Sequence, residues 1–164
     1  MALSYLLVGS NSGSRHTEIE KAIGLIRERI GKINQMSSWY ETEPWGFISE
    51  THFLNIALCV ETDLSPVSLM DSIIQIETDA GRIRSNNKGY RSRIIDIDVL
   101  FYSNEVINTE SIKIPHPLLH LRKFVLTPLK EIAPSYIHPV LNKSVLDLFE
   151  ECNDTLTVKK FTNE

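Results

Sequence analysis

The apolar and polar positions of this chain follow strand periodicity in four places. Strands are predicted over residues 3–10, 32–40, 53–61 and 94–102, where short runs of alternating or continuous apolar residues are bounded by polar or glycine-containing sequence. We therefore expect four strands within the first 102 residues.

Between these strands the apolar residues recur with helical spacing. The first predicted helix begins at the capping box Thr17-x-x-Glu20 and ends at Gly31, and the second begins at Ser65-Pro66 and ends at Gly81. The residues that share one helical face are Ile19, Ala22, Ile23, Ile26 and Ile30 in the first helix, and Leu69, Met70, Ile73, Ile76 and Ala80 in the second.

The order of these six elements is β-α-β-β-α-β, the ferredoxin-like arrangement. We therefore expect an α+β fold, with an antiparallel sheet that carries helices on one face. Residues 103–164 add a C-terminal extension with short predicted helices over residues 125–133 and 144–151. Because no repeat or linker interrupts the 164 residues, we assign residues 1–164 to a single domain.

The two faces of the third predicted strand differ in composition. One is aliphatic and the other is mixed: Leu54, Ile56, Leu58 and Val60 alternate with Phe53, Asn55, Ala57 and Cys59. The aliphatic set is expected to face the two helices. An asparagine and a phenylalanine on the other face suit the floor of a ligand site, but a face covered by the rest of the chain accounts for them equally well.

Composition and charge limit the classes of molecule that the protein is expected to bind. A net charge of −4 provides no general attraction to nucleic acid or anionic lipid, so a bound anion must be held by a local cluster of cations. Cys59 lies in an apolar run typical of a protein core, and neither it nor Cys152 has metal-ligand spacing. No run approaches the roughly 18 apolar residues that a membrane-spanning helix needs.

A cation cluster precedes the fourth predicted strand. Residues 82–93 contain no carboxylate and five cations, which are Arg82, Arg84, Lys88, Arg91 and Arg93. Asp96 and Asp98 then follow in the strand, whose period places both on one face, about 7 Å apart. Two adjacent like charges are destabilising unless a cation lies between them.

The aspartate pair and the cation cluster together predict a polyphosphate site. Mg²⁺ prefers oxygen ligands, keeps several waters, and is commonly held by one or two carboxylates and substrate phosphates. Arginines can bind the phosphate oxygens that the metal leaves uncovered. A solvated charged loop would account for the cations alone, but not for their combination with the paired aspartates.

Three other features are weaker by themselves. Residues 41–47 form a loop with a proline, a glycine and two aromatic residues, and Ile114-Pro115-His116-Pro117 holds a histidine between two prolines. Arg122 and Phe124 follow a short apolar run, where a surface arginine and a core phenylalanine are the default interpretations. The glycine-containing segment after the first strand lacks the Lys-Ser/Thr of a P-loop, so a tight turn is its simpler interpretation.

Taken in order, these motifs resemble those of the 6-hydroxymethyl-7,8-dihydropterin pyrophosphokinases. The resemblance extends from the first strand to about residue 133. It is carried by Val8-Gly9-Ser10-Asn11, Ser37-Ser38-Trp39-Tyr40-Glu41-Thr42-Glu43-Pro44, Phe53-Leu54-Asn55, Ile76-Glu77 through Gly81-Arg82-Ile83-Arg84, Arg93-Ile94-Ile95-Asp96-Ile97-Asp98, Ile114-Pro115-His116-Pro117 and Arg122-Lys123-Phe124-Val125-Leu126.

The resemblance implies a ferredoxin-like enzyme of folate biosynthesis that transfers pyrophosphate from ATP to the hydroxymethyl oxygen of the pterin and releases AMP. It implies that Asp96 and Asp98 bind two Mg²⁺ ions, and that Arg82 and Arg93 act with them in catalysis. The positions that match nucleotide-binding residues are Glu77, Arg84, Arg93, His116 and Arg122. The positions that match pterin-binding residues are Thr42, Trp45, Phe53, Asn55 and Phe124.

The corresponding expectation is a cytoplasmic monomer that acts on small molecules and has no nucleic-acid or membrane partner.

The chain departs from the family pattern at Ile74, Ser111 and Lys113, where the family has glutamine, arginine and threonine. These departures concern the contacts to the nucleotide. Tyr90-Arg91-Ser92-Arg93 replaces a Trp-Gly-Pro-Arg run, which affects the alignment of the loop before the aspartates.

Two other classes fit parts of the pattern. An RNA-binding ferredoxin-like module would need a K/R-G-F/Y motif on its central strands, and the sequence has none. A metal-dependent phosphohydrolase would need further histidine or carboxylate ligands to activate water. The five histidines, which are His16, His52, His116, His120 and His138, lack metal-ligand spacing.

Overall fold

The structure, a computed structural model, describes residues 1–42, 52–80 and 94–162. The strands are β1 (Ala2–Ser10), β2 (Gly31–Met36), β3 (Tyr40–Thr42), β4 (Phe53–Thr62), β5 (Asp96–Tyr102), β6 (Ile107–Asn108), β7 (Lys113–Ile114) and β8 (Val158–Lys160). The helices are α1 (Arg15–Arg29), α2 (Pro66–Asp79), α3 (Lys123–Ile132) and α4 (Val145–Glu151), and a 3₁₀ turn spans Leu119–Leu121. No helix in these described ranges is long and apolar enough to cross a membrane.

The main sheet is antiparallel throughout its described pairings. Its strands lie in the order β5-β1-β4-β3-β8, and β2 pairs with β4 on the same side as β3. A separate two-stranded sheet consists of β6 and β7. The molecule is thus an α+β fold built on a mainly antiparallel sheet.

The single strand predicted over residues 32–40 is two strands in the structure, because the ladder is interrupted at Ser37. The Ser37 backbone N–H donates to the carbonyl of Ala57, but the Ala57 N–H donates to the Ser37 hydroxyl, with each nitrogen–oxygen distance 2.9 Å. A side-chain oxygen therefore replaces a backbone carbonyl in the ladder. From Tyr40 onward the chain pairs with β4 again, and this second segment is β3.

Hydrophobic cores form on both faces of the sheet. Residues of α1 and α2 pack with the aliphatic face of β4, which confirms that Leu54, Ile56, Leu58 and Val60 point toward these helices. Residues of α3 and α4 pack with Ala57 and Cys59 on the other face. The expectation of helices on one face therefore holds for α1 and α2 only, because the C-terminal extension contributes helices to the second face. Cys59 is a buried free thiol, as predicted.

Of the four predicted helix starts, two are confirmed and two are two residues too late; one of the late ones is that of α3, which begins at Lys123 and not at residue 125. Ser65 caps α2 by accepting the Ser68 N–H, and Ser144 caps α4 in the same way. The capping box at Thr17 does not start α1, which begins at Arg15 after Ser14. The first residue of α1 makes tertiary contacts: one nitrogen of the Arg15 guanidinium lies 2.8 Å from the Glu41 carboxylate and donates to a carbonyl at residue 52 over 2.7 Å.

Candidate active site

Four site positions form a row across one end of the sheet. The strand registers pair Asp96 with Gly9, Gly9 with Asn55, and Asn55 with Tyr40, on the neighbouring strands β5, β1, β4 and β3. Residues paired directly across antiparallel strands point to the same face. The row therefore lies on the face that packs against α3, and it brings a predicted metal ligand and a predicted pterin ligand to the same place.

Gly9 is required within this row because the Asn55 side chain lies directly over it. A Cβ atom at Gly9 would stand 2.2 Å from the Asn55 side-chain oxygen, far closer than two such atoms can approach. The sequence predicted a strand over residues 3–10 and a tight turn at its end, and Gly9 belongs to both segments. In the structure Gly9 is inside β1, and its lack of a side chain is what accommodates the asparagine.

Two buried polar groups at this end of the sheet make no hydrogen bond within the described residues. Asn55 is 3% exposed and Thr42 is 1% exposed. In the three described ranges, neither the Asn55 side-chain nitrogen nor the Thr42 hydroxyl has a hydrogen-bond partner. An unsatisfied buried polar group costs about 1–3 kcal/mol, so such groups usually mark a place where another molecule supplies the partner.

Two aromatic residues lie on the same face of the sheet as these polar groups. Phe53 is half-buried and pairs directly with Thr42 across β3 and β4. Phe124, in the first turn of α3, packs against the core on the same sheet face, and the Arg122 guanidinium carbon lies 5.5 Å from its ring centroid. Four of the five predicted pterin-site residues are thus described. The fifth, Trp45, lies outside the described residues.

The paired aspartates occupy the outer strand as their period predicted. Asp96 and Asp98 are half-buried and share one face of β5, whereas Ile97 between them is buried in the core. The Ile97 N–H donates to a carboxylate oxygen of Glu77 over 2.9 Å. Glu77 is itself 4% exposed, so a buried side chain from α2 holds the backbone midway between the two aspartates.

His116 and Arg122 lie in the same electrostatic neighbourhood as Asp96. Burial, followed by the positive charge of Arg122, lowers the pKa of His116 to about 4, against the opposing effect of Asp96. The His116 Nδ1 atom accepts the Leu118 N–H over 3.2 Å, so the neutral ring carries its proton on Nε2. Arg122 is 5% exposed, which corrects the default interpretation of a surface arginine.

Comparison with known proteins agrees with this geometry. Residues 5–134 match the family model of 7,8-dihydro-6-hydroxymethylpterin-pyrophosphokinase, abbreviated HPPK. The chain belongs to the HPPK family. The match covers the elements from β1 to α3 and therefore every predicted site residue.

Named HPPK relatives resemble the chain over most of its length. It is 41% identical over 151 residues to the 2-amino-4-hydroxy-6-hydroxymethyldihydropteridine pyrophosphokinase of Aquifex aeolicus, covering 92% of each protein. It is 38% identical over 141 residues to the pyrophosphokinase of the same name from Porphyromonas gingivalis, covering 85% of this chain and 95% of the relative.

Solved HPPK structures share the fold. A crystal structure of a Plasmodium falciparum HPPK-DHPS triple mutant superimposes with a TM-score of 0.75 at 18% identity, covering 92% of this chain. This chain spans 43% of that longer protein. At this identity the likeness shows the fold alone.

Three of the residues predicted for phosphate binding lie outside the described ranges. They are Arg82, Arg84 and Arg93, and their roles in this HPPK-family chain stay predictions. The described structure does show where their segment is attached. Residues 81–93 connect the end of α2, which carries Glu77, to the start of β5, which carries the aspartates.

One contact at the site was not anticipated from the sequence. The Tyr40 hydroxyl donates to one oxygen of Glu131 over 2.6 Å, and the Ser38 N–H donates to the other over 2.5 Å. Burial raises the pKa of Glu131, but these hydrogen bonds outweigh it, so the pKa lies below its usual value. Glu131 thereby joins α3 to the edge of the sheet. No local pattern could signal a contact between residues 91 positions apart.

Proposed function

We propose that this chain transfers pyrophosphate from ATP to the hydroxymethyl oxygen of 6-hydroxymethyl-7,8-dihydropterin, releasing AMP, as a diphosphotransferase of folate biosynthesis. The observation that carries this proposal is the row in which Asp96 is one strand away from Gly9 and two strands away from Asn55. A site for phosphate chemistry thereby adjoins a buried amide suited to the polar edge of a pterin.

The ferredoxin-like assignment of the fold is part of this proposal. The order β5-β1-β4-β3, with every neighbour antiparallel and with α1 and α2 packed on one face, supports it. Family membership and the superposition on HPPK-DHPS agree with the same arrangement.

The pterin would bind between the sheet and the start of α3. The Asn55 amide offers both donors and an acceptor to the ring edge, and the Thr42 hydroxyl offers one more of each. Phe53 from β4 and Phe124 from α3 would stack on the two faces of the ring, with Trp45 closing the site. The buried, unsatisfied Asn55 nitrogen and Thr42 oxygen support this placement.

We propose that Asp96 and Asp98 hold two Mg²⁺ ions, as the resemblance to the family implies. Asp96 and Asp98 provide oxygen ligands from one face of β5, and in the described ranges no group of three or more histidine, cysteine or acidic side chains could form a complete cage. Mg²⁺ suits such a partial site because it retains waters and takes phosphate oxygens as ligands. When bound, the ions would neutralise charge on the ATP phosphates.

The chain's own residues would bind and orient the nucleotide. Arg122 supplies a buried positive charge, and the neutral His116 supplies an Nε2–H donor for an ATP oxygen without adding charge. Arg84 and Arg93 are proposed to hold phosphates, and Arg82 to act mainly in the chemical step. Phosphoryl transfer depends on positioning and charge neutralisation more than on a strong base.

Glu77 is the nucleotide-site prediction that the geometry changes most. Its carboxylate accepts the Ile97 N–H, between the two aspartates, so it holds the backbone that carries the proposed metal ligands. A nucleotide contact by Glu77 remains a separate proposal. Because the Glu77→Gln variant keeps an acceptor for that N–H, a rise in KM for ATP in this variant would support the nucleotide contact.

The decisive experiment is product analysis by chromatography with ATP, Mg²⁺ and 6-hydroxymethyl-7,8-dihydropterin. We expect AMP and pterin pyrophosphate to form in equal amounts, and only when the pterin is present. ADP or free phosphate formed without pterin would refute the proposal in favour of another kinase or a hydrolase. Asp96→Ala and Asp98→Ala should abolish turnover and keep the fold, whereas Arg82→Ala should lower kcat far more than it raises KM.

The remaining expectations complete the proposal. The enzyme is a cytoplasmic monomer with a single domain over residues 1–164, and it has no nucleic-acid or membrane partner. Sedimentation equilibrium with and without both substrates checks the monomer. A mass of twice 18.7 kDa would contradict it.

A further inference from the structure

The segment from residue 154 to residue 161, here called the C-terminal clamp, touches both walls of the proposed pterin site. It begins 20 residues after the HPPK family match ends at residue 134. One of its contacts is with the sheet. Strand β8 pairs with β3 so that Val158 lies opposite Thr42 and Lys160 opposite Tyr40, and the Phe161 N–H donates to the Trp39 carbonyl over 2.8 Å.

Its other contact is with α3. One oxygen of Asp154 accepts the N–H of Lys123, the first residue of α3, over 3.0 Å, and its second oxygen accepts the Leu156 N–H over the same distance. The N-cap residue Arg122 provides no side-chain cap of its own. Asp154 therefore supplies from 31 residues away the acceptor that a helix usually finds in its own N-cap residue.

The two contacts converge on the residues proposed to bind the pterin. Lys123, held by Asp154, lies between Arg122 and Phe124 in the chain, and Phe124 is the proposed helix-side ring. Strand β3, held by β8, carries Thr42 at the proposed sheet-side edge. Between Asp154 and β8 the connection is only three residues long, so a displacement at one contact is transmitted to the other.

We propose that Asp154 is a positioning residue for pterin binding, and that the C-terminal clamp sets the separation between β3 and the start of α3. A stacked ligand needs both walls at a fixed spacing, because dispersion contacts weaken steeply over a fraction of an ångström. The inference rests on the proposed function for the identity of the ligand, and on the described contacts alone for the clamp itself.

The test compares Asp154→Ala with two matched variants. Ser144→Ala removes an equivalent cap from α4, a helix that carries none of the proposed site residues, and Asp154→Asn keeps one acceptor oxygen for Lys123. In Asp154→Ala we expect the KM for the pterin to rise about fivefold, the factor that corresponds to one lost capping hydrogen bond. The kcat and the KM for ATP should change less than about twofold.

The controls separate positioning from stability. Ser144→Ala should lower the unfolding midpoint as much as Asp154→Ala and leave the KM for the pterin unchanged, and Asp154→Asn should restore most of the affinity. The inference is overturned if Asp154→Ala loses stability without any change in the KM for the pterin. It is equally overturned if Ser144→Ala raises that KM as much.

Amide hydrogen exchange tests the clamp without any substrate. We expect the amides of Lys123 and Glu41, the latter on the side of β3 that pairs with β8, to exchange about fivefold faster in Asp154→Ala than in wild type, and not in Ser144→Ala. If wild-type protein shows no pterin-dependent AMP formation, the proposed function fails, but this exchange result still decides whether the clamp exists. Unchanged exchange at both amides would refute the clamp even in a fully active enzyme.

Discussion

Replacing Gly9 with alanine would place a methyl group where the Asn55 side chain lies. The added Cβ would stand 2.2 Å from the Asn55 side-chain oxygen, 3.3 Å from its amide carbon and 3.4 Å from the Leu54 carbonyl oxygen. An ordinary contact needs at least 3.4 Å, so the amide would have to move by more than about 1 Å. Asn55 is buried within a paired strand, which leaves the side chain, and not the backbone, to move.

That displacement sets the expected loss of pterin affinity. A net hydrogen bond between neutral groups is worth about 0.5–1.5 kcal/mol, and the pterin edge is proposed to make two with the Asn55 amide. Losing both costs about 1–3 kcal/mol, which corresponds to a dissociation constant about 5 to 150 times larger. Binding of ATP should change much less, because the atoms nearest the added Cβ belong to Asn55 and Leu54 and not to the proposed ATP ligands.

The assay is a calorimetric titration of the pterin into wild type, Gly9→Ala and the control Gly24→Ala. Gly24 lies on the exposed side of α1 with nothing within 4 Å of an added Cβ, so the same substitution there should stabilise the protein by about 0.5–1 kcal/mol and leave affinity unchanged.

A double-substitution cycle makes the reasoning refutable. In the Asn55→Ala background the methyl group has room, so adding Gly9→Ala should weaken binding by less than about twofold. Wild-type pterin affinity in a folded Gly9→Ala protein would refute the proposed role of Asn55. A full additional loss in the Asn55→Ala background would show that Gly9 acts by some other route.

Three other outcomes can be checked by urea unfolding. Glu77→Ala leaves the Ile97 N–H without its acceptor and should cost about 1–3 kcal/mol, whereas Glu77→Gln, its control, should cost less; equal losses would contradict the contact. Burial, and after it the charge of neighbouring His120, lowers the pKa of His138 below its ordinary value of 6.5. The unfolded chain therefore binds more protons than the folded one as the pH falls, and the free energy of unfolding should decline below about pH 6.5. An unchanged decline in His138→Asn would contradict this origin. Tyr40→Phe removes a hydrogen bond to the Glu131 carboxylate and should cost about 1.5–3 kcal/mol, whereas in a Glu131→Ala background the same substitution should cost much less if that contact is the cause.

Much of the local structure could be predicted from the sequence. The alternation in residues 53–61 correctly placed Leu54, Ile56, Leu58 and Val60 on the face of the first two helices, and Ala57 and Cys59 on the opposite face. Ser65-Pro66 correctly began α2, and the period of β5 correctly placed Asp96 and Asp98 together. These features depend on chain geometry over a few residues, and side-chain type alone reports them.

The exact site could not be predicted in the same way. The row from Asp96 through Gly9 to Asn55 depends on strand register, which three separate segments establish only when they pair. The support that Glu77 gives to Ile97 crosses 20 residues, and the cap that Asp154 gives to Lys123 crosses 31. Such contacts produce no periodic pattern in the sequence, because within its own segment each acidic residue cannot be distinguished from a solvent-exposed one.

The sequence by itself therefore determined most of the main helices and strands and their polar and apolar faces, including the shared face of the two aspartates, since these follow from short-range periodicity and residue type. Only the tertiary structure decided that Gly9 makes room for Asn55, that helices cover both faces of the sheet, and that the C-terminal clamp joins β3 to α3. The physical reason is that burial and hydrogen-bond satisfaction are settled between distant segments, after the local elements have formed.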